Sequence, residues 1–582
     1  MKLAKYLCLV ALLVVPFTAQ LHAQVLTAAV AGSSALWLET GQGAANSLGC
    51  VWTDKNNTGV GGLSGSGTSE YVVDVRSGAG NATDYSKIWV AWNAAGGSCA
   101  SPGVSSTVYA YMSLDSGIGN RCLFAQPQCT MHTTQTAGAA GANALAGFTD
   151  TALPSGVLSA FQGASINVGA TDILPYDSLF STYQALAPCG YLSSGTQYQG
   201  YGRGPSPDFW PGPGTQIQAQ DGSATYNVIG FNITGNDPFT GAAVPAYTIT
   251  PVAATPVLVI VNTGNASGFG SASVSNITRA TLGLYFSNIL ARTADAIPQA
   301  FAGISGTYSG ITAWHRESLS GTYNTFDRAM PGNKELYRTQ EFVCPPVEPL
   351  SYGRTIADGG TSTTSNNYRA IGTADEILQV ESLNDSIGYA FWSTANFKGT
   401  PYGSGTSGAL KYLQVDGVDP LCTTYGCGGS PGQIPDSANG LLPNITMPHI
   451  FDGTYPIWSE QRFVTTSAAG LTAATTLAGY IGTYNTLSTT VGSSGSQPDF
   501  VPTASLNVIH AHYGNLPFVN DAYTASEGSR VCGPSGAVEA GGDAAGIVHS
   551  LQAGADYAVL KGNYNTSSCV GITNTASFGV HQ

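Results

Sequence analysis

The sequence predicts an α/β fold, because short apolar runs alternate along the chain with segments of helical spacing. The apolar runs are bounded by turn residues and are typical of buried strands: KIWVAW, TVYAYMSL, YNVIGFNI, TPVLVIVN and SLNVIHAHYG. The segments ITRATLGLYFSNILART and TADEILQVESLN have the spacing of helices. With 582 residues, of which 43% are hydrophobic, the chain is long enough for two or three domains.

The first residues, MKLAKYLCLVALLVVPFTAQLHAQ, have the pattern of a secretory signal peptide. Lys2 and Lys5 precede an apolar run, and small and polar residues follow it up to Ala23. We therefore assign residues 1–23 to a cleaved signal peptide. No later segment reaches the roughly 18 uninterrupted apolar residues of a membrane span, so we expect a soluble protein that is periplasmic or secreted.

The chain is acidic, with a formal net charge of −14 and charged side chains at only 9% of positions. Loss of Lys2 and Lys5 with the signal peptide makes the mature chain more acidic still. Such a surface is a poor match for nucleic acid or for an anionic membrane, and we expect no nucleic-acid partner. Because charges are few, each arginine is a candidate for a specific role.

The cysteines favour disulfides over a metal site, because an even number remains once Cys8 is lost with the signal peptide of an exported chain. Spacing alone does not fix the pairing. The candidate pairs are Cys122 with Cys129, Cys422 with Cys427, and Cys532 with Cys569. The segment CTTYGC has neither CxxC spacing nor a nearby histidine pair, and we expect no metal.

The stretch HRESLSGTYNTFD stands out because an arginine precedes Ser-Gly-Thr by four residues. Ser-Gly-Thr recurs along the chain, but only the copy at Ser320 has this arginine, Arg316. ITAWHR is typical of a strand and YNTFDRAM of the first turns of a helix, so Ser-Gly-Thr falls where backbone N–H groups and the helix dipole favour an anion. An ordinary serine N-cap, with the arginine paired to a surface carboxylate, is the alternative.

At this stretch the chain resembles the periplasmic phosphate-binding proteins of ABC importers, the PstS-type members of the type II solute-binding proteins. In that family an arginine, three spacers and Ser-Gly-Thr form one wall of the anion site. Other motifs follow in the family's order: VAGSSALW, YMSLDSGIGNR, ASINVGATDILPYDSLF, SLNDSIGYAFWSTANFKG, LQVDGVDP and DGTYPIWSEQRFVT. The order of these weak motifs, more than any one of them, carries the resemblance.

The resemblance implies a two-lobe type II periplasmic binding protein fold, with a ligand cleft between the lobes and a C-terminal extension. We place lobe 1 at residues 24–262 with 456–504 and lobe 2 at residues 263–455. The family's pattern does not account for residues 505–582, which we expect to pack on lobe 1.

The resemblance also implies an anion site without a cofactor or a metal ion. Carried over to this sequence, its residues are Ser34, Ala35, Ser116, Gly117, Asp172, Arg316, Ser320, Gly321 and Thr322. The family's hydroxyl residue in the first loop falls on Ala35, so either Ser34 substitutes for it or one donor is missing.

A carboxylate in an anion site repels the anion unless the ligand carries a proton. Hydrogen phosphate can donate to Asp172, whereas sulfate has no proton to give. Asp172 therefore favours phosphate over sulfate. Its alternative role is that of an N-cap for the segment DILPYDSLF, and Asp115 is either a cap or a partner for Arg121.

We accordingly expect an exported, monomeric solute-binding protein, not an enzyme, that captures inorganic phosphate or a related oxyanion for an ABC permease. One alternative is a secreted structural or adhesive protein with a degenerate binding-protein fold. A phosphoester-processing enzyme is the other, raised by His315 and by His510 with His512. The last two share one face of a strand pattern, but no third ligand stands nearby in the sequence.

Overall fold

The computed structural model describes residues 24–54, 87–173, 246–286, 311–329 and 367–502, with short gaps at 125–127, 146, 317–319, 371, 395, 398, 437, 452 and 492–498. Several short strands elsewhere are described by their backbone alone. The predicted signal peptide, Asp177, His512 and most of residues 505–582 lie outside the described residues.

The described strands and helices alternate along much of the chain. The strands are β1 (Val25–Ser33), β2 (Cys50–Asp54), β3 (Ile88–Trp92), β4 (Thr107–Leu114), β5 (Val168–Thr171), β6 (Leu192–Ser193), β7 (Thr196–Gln197), β8 (Gln216–Gln218), β9 (Thr225–Asn227), β10 (Thr248–Asn262), β11 (Asn276–Ile277), β12 (Thr312–His315), β13 (Asn367–Arg369), β14 (Ser386–Phe391), β15 (Leu410–Val415), β16 (Trp458–Thr465), β17 (Val501–Pro502), β18 (Val508–His510), β19 (Arg530–Cys532), β20 (Val538–Ala540) and β21 (Ala558–Leu560). The helices are α1 (Ser34–Leu48), α2 (Ser116–Phe124), α3 (Ser155–Phe161), α4 (Arg279–Phe286), α5 (Gly321–Ala329), α6 (Thr373–Ser382), α7 (Pro448–Phe451) and α8 (Ala468–Val491).

One mixed sheet organises the described residues, with strand order β13-β12-β14-β10-β16-β5-β1-β4-β3-β2. Strands β15 and β17 also pair with β10, and β11 pairs with β15. Strand β1 is parallel to β4 and β5, and β12 is parallel to β13 and β14, whereas β10 and β16 are antiparallel to their neighbours. The predicted α/β fold class is confirmed.

Strand β10 connects two halves of this sheet. Its residues Thr248–Pro256 pair with β16, next to β5 and β1, and its residues Val257–Val261 pair with β14. We call strands β1 to β5 the β1 half, and strands β11 to β15 the β14 half. A single 15-residue strand thus belongs to both halves.

Both faces of the β1 half are buried, which explains why its strands read as continuous apolar runs. Alternate residues of β3 point to opposite faces: Val90 and Trp92 contact one apolar cluster, while Trp89 and Ala91 contact another. Helices α2 and α3 contribute to the first cluster, and α1 and α8 to the second. The β14 half packs around a separate cluster that includes Val257–Val261 of β10.

Three disulfides lie in the described residues. The predicted pairs Cys122–Cys129 and Cys422–Cys427 are confirmed. A third pair, Cys50–Cys99, joins the start of β2 to the loop after β3 and was not among the candidates. Cys569, the predicted partner of Cys532, lies outside the described residues.

Among the residues that the structure describes, none of the helices is both long enough and apolar enough to cross a membrane.

Candidate anion-binding site

Four turns that lead from a strand to a helix meet at the junction of the two halves. They precede α1, α2, α5 and α6, which begin at Ser34, Ser116, Gly321 and Thr373. Strands β1 and β4 are parallel, so α1 and α2 begin at the same edge of the sheet. In the β14 half, α5 and α6 follow the parallel strands β12 and β13 in the same way. Helix N-termini carry partial positive charge and favour an anion.

The start of α1 is fixed by its own cap. The Oγ atom of Ser33 accepts a hydrogen bond from the Ala35 N–H group at 3.2 Å, and the Tyr111 hydroxyl donates to the Ser33 carbonyl oxygen at 2.5 Å. Ser34 and Ala35 are half-buried. The Ala35 methyl group packs against the apolar cluster of the β14 half. Ser34 therefore carries the side-chain hydroxyl of this first turn.

Asp172 links the end of β5 to the start of α2. The Ser116 hydroxyl donates to Oδ1 of Asp172, and the Asp172 N–H group donates to Ser116 Oγ at 3.3 Å. Gly119, one turn along α2, allows this helix to pack closely on β1, because a Cβ atom there would stand 2.5 Å from the Cα of Gly32. Asp172 is 3% exposed. The segment DILPYDSLF, for which Asp172 was considered as an N-cap, lies outside the described residues after Ile173.

Burial raises the pKa of Asp172. Hydrogen bonds from Ser116 and Ser33 and the positive charge of Arg316 act in the opposite direction. Burial also raises the pKa of Tyr111 well above its ordinary value, and the negative charges of Asp172 and Glu39 add to this effect. Tyr111 is therefore a neutral hydrogen-bond donor beside the site.

The prediction for the Ser-Gly-Thr stretch is confirmed at the level of local structure. Strand β12 ends at His315, and α5 begins at Gly321 with Ser320 before it. The Oγ atom of Ser320 accepts a hydrogen bond from the Tyr323 N–H group at 3.4 Å. Ser-Gly-Thr thus forms the amino-terminal turn of a helix.

The carboxylate that pairs with Arg316, that of Asp115, has only 12% of its side chain exposed, so this ion pair does not lie at the surface. Arg316 itself is buried, with only 1% of its surface exposed. Its Nη1 atom donates to Thr373 Oγ1 at 2.9 Å and to Thr322 Oγ1 at 3.5 Å. Its Nη2 atom lies 3.7 Å from Oδ1 of Asp115. Its backbone N–H group donates to the Tyr389 hydroxyl at 3.1 Å. The guanidinium group therefore sits where the turns of both halves converge.

The contacts link the predicted residues across the two halves. Gly321 of α5 lies against the Asp172 carboxyl group, and Asp115, next to Ser116 and Gly117 in α2, pairs with Arg316. Sequence reasoning missed Thr373 and Tyr389 as members of the site. Thr373 begins TADE, which has the Ser/Thr-x-x-Glu spacing of a helix start and was the only available signal.

Among the described residues, no cluster of three or more His, Cys, Asp or Glu side chains is arranged to hold a metal ion. The buried His315 ring packs edge-on against Phe286, with ring centroids 5.0 Å apart.

No protein-family model matches the chain, and no curated protein is significantly similar to it in sequence. Solved structures of phosphate receptors are weakly similar to it. A phosphate ABC transporter substrate-binding protein with bound phosphate, from Clostridium perfringens, is 14% identical, with a TM-score of 0.24 over 43% of this chain and 72% of that one.

Two further solved structures are similar at the same level. An ABC-type phosphate transport receptor from Vibrio cholerae is 14% identical, with a TM-score of 0.23 over 43% of this chain and 73% of that one. A high affinity periplasmic phosphate-binding protein, PfluDING, bound with phosphate, is 14% identical, with a TM-score of 0.28 over 59% and 78%. Scores this low do not establish a family, so the chemistry of the site must indicate the function.

Proposed function

We propose that the protein binds a protonated oxyanion, inorganic phosphate first of all, at the junction of the two halves. The observation that carries this proposal is the buried guanidinium group of Arg316, which lies among the amino-terminal turns of α1, α2, α5 and α6. Uptake through an ABC permease is the role that we propose for such binding.

The donors around Arg316 suit an oxyanion. A dehydrated anion needs a partner for every oxygen, because an unpaired buried charge costs several kcal/mol. Arg316 offers a planar fork of N–H groups that matches an oxyanion. The hydroxyl groups of Ser34 and Thr322 supply further donors, whereas the single O–H of Ser116 is given to Asp172. This set needs neither a cofactor nor a metal ion.

Asp172 supports the choice of phosphate over sulfate. When ionised, its carboxylate accepts hydrogen bonds and repels an anion that has no proton. Hydrogen phosphate can donate its proton to this carboxylate, so the repulsion becomes a hydrogen bond. Sulfate has no such proton at neutral pH.

Transport requires that binding be linked to a change of shape. We propose that the two halves belong to two lobes, residues 24–262 with 456–504 and residues 263–455, that close on the anion about β10 and β16. Closure would then present a new surface to the permease. Residues 505–582 remain proposed as an extension that packs on the first lobe.

The test is calorimetric titration of the refolded, phosphate-stripped mature protein with phosphate and then with sulfate at neutral pH. Micromolar or tighter binding of phosphate, with little or no binding of sulfate, is expected. Absence of heat from both anions, with the protein shown to be folded, would contradict the proposal and favour a structural or adhesive role. Turnover of a phosphoester would favour an enzyme instead.

A further inference from the structure

We infer that Thr373 is an additional anion-binding residue, whose hydroxyl group donates to the same oxyanion that Arg316 holds. This inference rests on the proposed function and adds a donor that the sequence did not predict. Thr373 opens α6 in the β14 half, far along the chain from the other residues of the site.

The contacts of Thr373 place its hydroxyl group between two other candidate ligands. Its Oγ1 atom accepts a hydrogen bond from Arg316 Nη1 at 2.9 Å and lies 3.5 Å from Ser34 Oγ. Ser34 belongs to α1 and Thr373 to α6, so these two hydroxyls meet across the junction of the halves. Thr373 is 3% exposed. An oxygen atom that accepts from both Arg316 and Ser34 therefore lies within reach of Thr373.

The hydrogen-bond inventory of a hydroxyl group shows what remains for a ligand. Threonine has one O–H donor and two acceptor lone pairs. The Arg316 N–H group uses a lone pair, and the separation of 3.5 Å from Ser34 is at the limit of a hydrogen bond. A hydroxyl that accepts from a guanidinium group is polarised, which strengthens its own donation. The hydrogen atom of Thr373 is thus well suited to an anionic oxygen.

Thr373 compensates for the hydroxyl group that is missing at Ala35. The Ala35 side chain has no hydroxyl, and its methyl group packs against the apolar cluster of the β14 half. In the first turn of α1, Ser34 brings its hydroxyl group toward Thr373, whereas the hydroxyl group of the preceding Ser33 is bonded to Asp172 and to the Ala35 N–H group. Alongside Ser34, Thr373 supplies a second hydroxyl group from the opposite side of the junction.

The helix that carries Thr373 is held rigidly against the sheet. The Oε1 atom of Glu376, in the first turn of α6, accepts a hydrogen bond from the Tyr389 N–H group in β14 at 3.1 Å. Tyr389 also accepts from the Arg316 N–H group through its hydroxyl oxygen at 3.1 Å. Thr373 and Arg316 are therefore positioned by the same strand. A donor held in this way does not need to be ordered when the anion binds.

The experiment compares phosphate affinity in the mature wild-type protein and its Thr373→Val and Thr373→Ser variants. Valine keeps the shape of threonine without the hydroxyl, and serine keeps the hydroxyl. We expect Thr373→Val to weaken phosphate binding by roughly 10-fold or more, the effect of losing a hydrogen bond to a charged group, and Thr373→Ser to stay within about threefold of wild type. Thr373→Ala replaces the valine variant if thermal denaturation shows that the latter is unfolded.

Two outcomes would overturn the inference in distinguishable ways. Wild-type affinity in a folded Thr373→Val protein, when Arg316→Lys binds poorly, would remove Thr373 from the site and leave the proposed function intact. Absence of phosphate binding in the wild type would remove both.

Discussion

The carboxyl group of Asp172 lies directly against the Cα atom of Gly321, and a Cβ atom on residue 321 would overlap its Cγ and both Oδ atoms. Asp172 follows β5 in the β1 half, whereas Gly321 is the first residue of α5 after β12. Two turns that are about 150 positions apart in the sequence thus approach each other as closely as a missing side chain permits.

Gly321→Ala is therefore expected to displace Asp172 or to hold the halves apart. We expect a loss of phosphate affinity of roughly 10-fold or more, with folding retained, since the site depends on the position of Asp172. The control is Gly482→Ala in α8, where a Cβ atom meets nothing within 4 Å. Calorimetric titration and thermal melting of both variants provide the check; equal affinities would mean that this contact is unimportant.

Asp172→Asn is expected to narrow the preference for phosphate over sulfate. The amide N–H group can donate a hydrogen bond to sulfate, and the asparagine side chain lacks the negative charge that repels a fully ionised anion. The measurement is competition of sulfate against phosphate in the wild type and the variant. An unchanged ratio of the two affinities would show that Asp172 does not select the ligand.

The same preference should depend on pH. Because burial raises the pKa of Asp172, its carboxyl group becomes protonated at a higher pH than an exposed aspartate. Below that pKa it can donate a hydrogen bond to sulfate; above it, it only accepts. We expect the phosphate preference of the wild type to decline as the solution is acidified through that pKa, and that of Asp172→Asn to change less. Parallel declines in both proteins would point to another group.

Arg316→Lys is expected to remove most anion binding, because a single ammonium group cannot reproduce the planar fork of contacts with Thr373, Thr322 and the ligand. The arginine is fully buried, so the alanine variant would leave an empty volume and unpaired partners. Lysine keeps the charge and part of the volume. Titration with phosphate measures the loss of binding, and a urea denaturation curve measures any loss of folding stability. Tight phosphate binding by a folded Arg316→Lys protein would contradict the proposed site.

A buried acidic pair should make stability depend on pH. Burial raises the pKa of Asp499 to about 6, and burial together with the charge of Asp499 raises the pKa of Glu39 well above its ordinary value. Asp499 accepts hydrogen bonds from the N–H and hydroxyl groups of Thr394, at 2.7 and 3.2 Å. The folded protein therefore keeps protons that the unfolded chain has released. For Asp499 the free energy of unfolding falls as pH rises from about 4 to about 6, and the raised pKa of Glu39 adds a decline in the same direction.

Glu39→Gln is expected to raise the free energy of unfolding at neutral pH by roughly 1–2 kcal/mol, since the amide is neutral in both states and the folded protein no longer has to take up a proton or bury a charge at this position. It should also flatten the decline between acidic and neutral pH. Urea denaturation at several pH values measures both effects. A variant whose stability follows the wild-type profile would show that the two acids do not interact in this way.

The residues of the candidate site came mainly from the resemblance, and local patterns predicted one of its strand-to-helix turns, the Ser-Gly-Thr stretch after Arg316. The Ser-Gly-Thr stretch becomes a helix start through contacts between residues a few positions apart, such as Ser320 Oγ with the Tyr323 N–H group. The strand TVYAYMSL coincides with β4, because both faces of that strand are buried.

Contacts between distant segments were not predictable in the same way. Thr373 reaches Arg316 only because α6 and α5 follow neighbouring strands of the β14 half. Cys50 and Cys99 are 49 residues apart and are brought together by the pairing of β2 with β3. Strand order decides such contacts, and no local spacing encodes strand order.

Strand β10 also has a consequence for how the described part of the molecule unfolds. Because residues 248–256 pair with β16 and residues 257–261 pair with β14, a fragment that ends between them would expose unpaired backbone groups along an apolar strand. The two fragments produced by such a cut would each contain a strand that has lost a pairing partner, and each would tend to aggregate. The two halves should consequently melt together in one cooperative transition, even though their apolar clusters are separate.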